Sequence, residues 1–441
     1  MKRITNKKLL TLYGCSGMGV NMLNLIVGSY LCSALLVGGF EEHVESWTYL
    51  NKDLVVAGLW ATFVFLAKAL DGIIDLPLAS FADRLNTKLG RRKTAILMGF
   101  VPMVIAYLLF LLPIHPGESY ANTIWFGLLL CVFYACYTLT MLTFYATFSE
   151  VCASEQDTVY LSNIKSICDV VYFILGFALI PVLVNMDVNI RIVALIFLPL
   201  SLTMMIPMLL LKETKNGESK VNEDALTLGK ALRCSFRNKN YIYWMCTTSV
   251  LTIGLQLFLG GINEVFSSIG LNQTVVMASS FAPVPFTIFL YNYLVKRKGL
   301  AFGYRYILIV FSIGMVIMYL CSLLTGVLSP FALTMIAVVG GLFVSFAVGS
   351  FFSVSYTIPT FLAQQEFEKT GKSVATMYFA VQGVFEGIAS GIGTGFILVA
   401  LKDHDCIELL PLVVVLTCAG AFAMSFGFPK GIALLGKIEK E

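Results

Sequence analysis

Runs of about twenty apolar residues, the length a helix needs to cross a bilayer, recur along this chain with short polar breaks between them. Twelve can be placed, near residues 9–38, 55–81, 94–113, 123–149, 161–185, 191–211, 241–267, 273–295, 305–324, 330–362, 373–400 and 410–434. The break after the sixth is the long one. It runs from Lys212 to Asn240, mixes seven basic with four acidic residues, and holds a candidate surface helix, ALTLGKALRCSF. Six runs, a linker and six more predict an all-α membrane protein with twelve transmembrane helices in two six-helix, pseudo-symmetric bundles. The bundles would be residues 1–211 and 241–441, tethered by a cytoplasmic linker at 212–240.

Composition agrees: 58% of the 441 residues are hydrophobic and only 13% charged, far from a soluble domain. The net charge of +4 does not point to nucleic acid, because the basic residues sit in short loops and build no continuous face. They set topology instead. Lys2, Arg3, Lys7 and Lys8, the loop with Arg91, Arg92 and Lys93, the linker, and the loop with Lys296, Arg297, Lys298 and Arg305 are basic, whereas the loop with Glu41, Glu42, Glu45 and Asp53 is acidic. Both termini are therefore expected in the cytoplasm, with the protein in the plasma (inner) membrane. Trp47, Trp60 and Trp125 fall near outer helix ends and Trp244 near an inner one, as an aromatic belt would place them, leaving none for a mid-membrane pocket. The start, MKRITNKK, leads into a long Gly-rich apolar segment and reads as a retained first helix. Of eleven cysteines, most lie within apolar runs or cytoplasmic loops, which argues against a disulfide framework, and no metal-ligand spacing appears. His43, His115 and His404 all fall in outer loops.

The halves echo each other. Pro77 precedes Lys88 by eleven residues, Pro285 precedes Lys296 by eleven, and each short basic loop contains a glycine, Gly90 or Gly299. Matching loops after the second and eighth helices read as two parallel repeats around a central site, the arrangement of the major facilitator superfamily.

One stretch carries charge where lipid does not tolerate it. In LWATFVFLAKALDGIIDLPLASFADRLNTKLGRRK, Lys68, Asp71 and Asp75 stand near the middle of an apolar run. Each charge at bilayer depth costs about 3 kcal/mol on insertion scales. Asp71 and Asp75, four apart, share a helix face, with Lys68 one turn before them. Two carboxylates so placed share a proton or take a small cation. The competing reading is a Lys68–Asp bridge that only fixes helix packing.

The sequence here resembles a particular group, the glycoside-pentoside-hexuronide cation symporters, of melibiose carrier-like type. KALDGIIDLPLASFADRLNTKLGRRK is similar to that family's second helix and loop, YGCSGMGVN to its first helix, YTLTMLTFYATFSEV to its fourth, and IPTFLAQQEFEKTGK to a second-half segment. The resemblance implies a cation site at Asp71, Asp75 and Thr138, for Na⁺ or H⁺, with no other cofactor. It also shows departures: Ile74 replaces an asparagine ligand, the proline is displaced to Pro77, and Lys68 replaces an arginine. In the implied sugar site, Asn21 and Met141 stand where the family has aspartates, Tyr145 where it has a tryptophan and Lys165 where it has an arginine. Tyr134, Thr138, Met141 and Tyr145 share one helical face, the alternative for which is ordinary packing.

Other polar positions complete the candidates. Lys165 and Asp169 are an i,i+4 pair suited to a structural bridge or a substrate contact. Glu386, one turn beyond Gln382, is a carboxylate at bilayer depth where the family has a lysine, and is expected to face the cavity. The surrounding Gly383, Gly387, Gly391 and Gly395 read as a helix-packing ladder. Glu264, toward the outer end of its helix, reads as a solvated gate residue at least as readily as a cavity residue. Asp83, Arg84, Arg91 and Arg92 form a loop motif expected to latch one gated state, or simply to set topology.

Together these give a cation-coupled secondary symporter acting by alternating access and functional as a monomer. Its substrate residues would be Asn21, Lys68, Tyr137, Met141, Tyr145, Lys165, Gln382 and Glu386, and its solute a sugar or glycoside. Two alternatives stand beside it: a carrier of an amphiphile such as a lysolipid, and a membrane sensor on the same scaffold. An enzyme is disfavoured, since no nucleophile or metal constellation lies at bilayer depth.

Overall fold

The computed structural model describes residues 4, 6–36, 53–85, 87–152, 155–186, 188–211, 236, 239–370, 375–429 and 433. These form helices α1 (Lys7–Ala34), α2 (57–84), α3 (Arg91–Leu109), α4 (Tyr120–Ala146), α5 (155–185), α6 (Ile190–Leu210), α7 (Lys239–Ser268), α8 (273–298), α9 (Leu300–Leu323), α10 (Pro330–Thr370), α11 (375–403) and α12 (Leu410–Met424). Ten are long and apolar enough to cross a membrane. The exceptions, α2 and α8, are broken: α2 into pieces of 17 and 10 residues about Ile74, α8 into pieces of 9 and 15 about Ala282 and Pro283. By length and composition the described residues thus give ten spans where twelve are expected, the difference lying in these two broken helices.

Pro77 explains the bend in α2. It has no N–H to give the carbonyl of Ile73, and its ring crowds that carbonyl, so the helix opens just before Asp75. The flanking bonds survive, Ile74 N to Leu70 O at 2.9 Å and Leu78 N to Ile74 O at 2.9 Å, so the axis turns without unwinding. The glycines of the two basic loops share one conformation. Gly90 (φ 99°, ψ 156°) opens α3 and Gly299 (φ 89°, ψ 165°) opens α9, positions where a side chain would be strained. The sequence echo is thus also a backbone echo.

Helices α1–α6 form one set and α7–α12 another, and the two meet where α1 touches α7, α5 touches α8 and, most extensively, α2 packs along α11. The α2–α11 seam is built on the glycine ladder. A methyl group added at Gly387 would lie 2.7 Å from the Lys68 carbonyl, at Gly391 2.9 Å from the Phe65 carbonyl, and at Gly395 2.9 Å from the Ala61 carbonyl. Only glycine lets the backbones approach so closely, which confirms the packing reading of that ladder.

Two belt assignments are corrected. Trp60 and Trp244 are each 1% exposed, Trp60 against Phe110 and Trp244 donating Nε1–H to Gln382 Oε1 at 3.2 Å. Their helices present them inward, and an indole buried with a partner, or within an apolar core, outweighs the interfacial preference. Trp125 does sit at the start of α4, donating to the Leu112 carbonyl at 3.0 Å. Trp47 and the linker 212–235 lie outside the described residues.

Candidate functional site

The bend at Ile74 sets the acids on either side of it. Asp71 ends the straight part of α2 and faces α4, where Thr138 donates its hydroxyl proton to Asp71 Oδ1 at 2.5 Å. Asp75 begins the second part and faces α11, near enough that a methyl at Gly383 would lie 3.3 Å from Asp75 Oδ2. Asp75 therefore lies at the junction of the helix sets, while Asp71 on the same helix is tied to α4. Lys68 does not close a bridge onto them. The ion pairs formed within 4.0 Å include Lys165–Asp169, Lys402–Glu264 and Asp403–His404, and Lys68 is in none of these. The Lys68 ammonium instead stands 4.2 Å from the centre of the Tyr134 ring, a cation–π contact.

A second polar cluster joins α1, α4 and α5. Tyr137 donates to Asn21 Oδ1 at 3.0 Å, and Asn21 Nδ2 reaches Tyr145 Oη and Asp169 Oδ1, each at 3.4 Å. Lys165 Nζ lies 2.6 Å from Asp169 Oδ2 and 5.1 Å from the Tyr145 ring centre. Lys165 and Asp169 keep 31% and 25% of their side-chain surface, so they are paired yet reachable. Met141 is buried and packs beside Gly17 instead of joining this network. The α4 stripe thus divides its work: Tyr134 and Thr138 serve α2, while Tyr137 and Tyr145 serve α1 and α5.

The third cluster belongs to α7 and α11. Gln382 donates Nε2–H to Glu386 Oε1 at 2.8 Å, Thr248 reaches the same oxygen at 3.5 Å, and Trp244 holds Gln382 from the other side. Glu386 is half-buried and Gln382 buried. One turn before Glu386, Gly383 touches Asp75, which brings the acidic helix and this cluster to the same seam.

At the helix ends opposite the N-terminus, a fourth group closes the seam. Lys402 Nζ lies 3.1 Å from Glu264 Oε2 and donates to the Ser33 carbonyl at 2.5 Å, and Ser33 Oγ donates to the Gly260 carbonyl at 3.2 Å. Side-chain exposure is 4% for Lys402 and 2% for Glu264. Glu264 is therefore no solvated gate residue, as the sequence suggested; it is a buried partner. Lys402 was missed, because a lysine beside Asp403 and His404 at the end of an apolar run reads as a loop residue. Asp169 and Trp244 join the candidate residues as well.

Of the loop motif, Arg91 begins α3 and Arg92 is buried at 9% exposure. The side chains of Asp83 and Arg84 lie outside the described residues. Among the described residues no group of three or more His, Cys, Asp or Glu side chains could hold a metal ion.

A family model for the MFS/sugar transport proteins matches residues 12–406. The chain belongs to that family. Its fold is shared by solved transporters of low sequence identity. The nucleoside transporter NupG is 16% identical with a TM-score of 0.66, over 96% of this chain and 98% of that one. A POT family transporter solved with 5-aminolevulinic acid is 14% identical with a TM-score of 0.57, over 96% and 97%. A bacterial homologue of the human lysosomal transporter Spinster, inward-facing and unoccupied, is 12% identical with a TM-score of 0.58, over 98% of each chain. No curated protein matches the sequence. This MFS/sugar transport family member is accordingly an integral membrane transporter and not an enzyme. Within it, Lys402 and Glu264 are sealed from solvent, whereas Lys165 and Asp169 keep part of their side-chain surface.

Proposed function

We propose that the protein is a cation-coupled symporter of a small hydroxyl-rich solute, a sugar or glycoside, of the melibiose carrier-like type. The observation that carries this reading is the placing of the acids: Asp71 held by Thr138, Asp75 against Gly383, and neither within 4.0 Å of a basic group among the described residues. With both acids ionised, closing the halves would bury excess negative charge at low dielectric. Na⁺ or H⁺ relieves that, and solute and cation then favour each other's binding by about 1–3 kcal/mol, or roughly 5- to 150-fold.

The solute pocket would be the α1–α4–α5 cluster facing the Gln382–Glu386 cluster, with residues 1–211 and 241–441 rocking about them. Carboxylates, amides and phenols in that number suit hydroxyl groups better than an acyl chain, which disfavours the lysolipid reading. The plasma membrane, cytoplasmic termini and a monomeric unit complete the proposal.

The test is uptake into proteoliposomes from a panel of glycosides, pentosides, uronides, nucleosides and lysolipids, with Na⁺ and H⁺ gradients imposed separately. One hydroxyl-rich class should accumulate against its gradient. Undiminished cation-driven uptake in both Asp71→Asn and Asp75→Asn would overturn the assignment.

A further inference from the structure

Between the acidic pair and the Lys402 latch, α1, α2, α4 and α11 enclose a cavity of about 20 Å³, room for one or two waters or one halide ion. Helices α1 and α11 widen where they line it. Gly28 lies in the π-helical turn Val27–Leu31 and Thr394 in the π-helical turn Ile392–Ile397. Among its described lining residues only Lys68 and Lys402 are charged, and both are positive.

Their situations differ. Lys402 has the Ser33 carbonyl and, outside the lining, the Glu264 carboxylate. Lys68 has the face of the Tyr134 ring. The Tyr134 hydroxyl, on a side chain 1% exposed, has no hydrogen-bond partner and lies beside Gly28 at the cavity wall. The wall therefore presents ammonium groups and a phenol as donors, while the carboxylates nearest to its two lysines, Glu264 and Asp71, both lie outside the lining. A buried charge and buried donors without acceptors are both costly.

We propose that this cavity is a binding site for a compact monovalent anion, chloride in the cell, held by Lys68, Lys402 and the Tyr134 hydroxyl. An anion there bridges α2 to α11 and so stabilises the conformation in which this end is shut. It also balances Lys68 when the neighbouring acids carry their own cation.

The test is thermal unfolding of the purified protein in nanodiscs, at constant Na⁺ and constant ionic strength, with chloride exchanged for gluconate so that screening and the cation site are unchanged. Chloride and bromide should raise the unfolding temperature along a saturating curve, and gluconate should not. Lys68→Gln should remove the response. Should that variant fail to fold, Tyr134→Phe, which deletes only the hydroxyl, should weaken the apparent halide affinity about tenfold. Bromide soaked into crystals should give one anomalous peak at this cavity. Equal stability in chloride and gluconate, a halide response that survives both substitutions, or no bromide peak overturns the proposal and leaves a water-filled cavity.

Discussion

Replacing Lys402 with methionine tests the closed end of the protein quantitatively. The side chain is 4% exposed and its partner Glu264 2%, so the substitution strands a buried carboxylate and removes the donor to Ser33, the contact that joins α11 to α1. Breaking a buried pair by deleting one member costs about 3–5 kcal/mol. Neither Glu264 oxygen makes an aligned hydrogen bond, so charge attraction at 3.1 Å carries the pair and the lower end applies. If opening this end hydrates both groups, only the closed state bears the cost, and about 3 kcal/mol shifts the closed-to-open ratio by roughly 150-fold.

Cys32, which lines the cavity beneath the latch, is a native reporter. In a Cys406→Ser background, an impermeant maleimide applied from the side opposite the termini should label Cys32 faster in Lys402→Met by a comparable factor. The Lys402→Met/Glu264→Gln double variant should recover part of the difference. If the pair only stabilises the fold, both states lose equally. The unfolding temperature then falls while labelling stays at the wild-type rate, and the gate interpretation is refuted.

Other substitutions probe the remaining contacts. Thr138→Ala removes a hydrogen bond to a charged acceptor worth about 1.5–3 kcal/mol, so the apparent cation affinity should fall about ten- to a hundredfold, read from the cation dependence of uptake. Gly387→Ala drives a methyl against the Lys68 carbonyl, held at 2.7 Å by two backbones, and should lower stability by about 1–3 kcal/mol in a thermal melt. Gly420→Ala, whose nearest neighbour is a Val250 methyl at 3.3 Å, should cost much less. Asp169→Asn should raise the KM for solute about tenfold with cation dependence kept, because it weakens the Lys165 and Asn21 contacts without touching α2. Glu386→Gln should likewise impair uptake at normal expression, and unchanged transport would remove it from the pocket.

Much of this arrangement is written in local spacing. Charges four apart on an apolar helix declare a shared face, glycines four apart declare a close neighbour, and a glycine in each of two equivalent loops declares a repeated backbone. The last two appear in the structure as the α2–α11 seam and Gly90 with Gly299, whereas the bend at Ile74 turns Asp71 toward α4 and Asp75 toward α11. What spacing does not encode is depth and partner. Lys402 and Trp60 occupy helix ends where a long amphipathic side chain ordinarily reaches the interface, and neighbouring helices cover them: Ser33 and Glu264 receive Lys402, and Phe110 meets Trp60. Lys68 illustrates the same limit within a legible motif: its register with Asp71 was plain, but the ring of Tyr134 on another helix, not the nearby acid, receives it.

That choice of partner bears on how the two ends communicate. Lys68 bonded to Asp71 would neutralise one of the two acids and leave only Asp75 for a cation. Turned toward Tyr134, it leaves the acids open toward α4 and α11 and places its own charge in the cavity under the Lys402 latch. One helix then carries a negative site on one side of its Lys68–Asp71 turn and a positive one on the other, each facing α11. On the proposed reading, a cation arriving at the acids weakens their pull on Lys68, and an anion in the cavity would tie Lys68 to the latch. Cation occupancy should therefore slow maleimide labelling of Cys32 in the wild type. In Lys68→Met the two should become independent, with Cys32 labelled at one rate whether or not the cation is present.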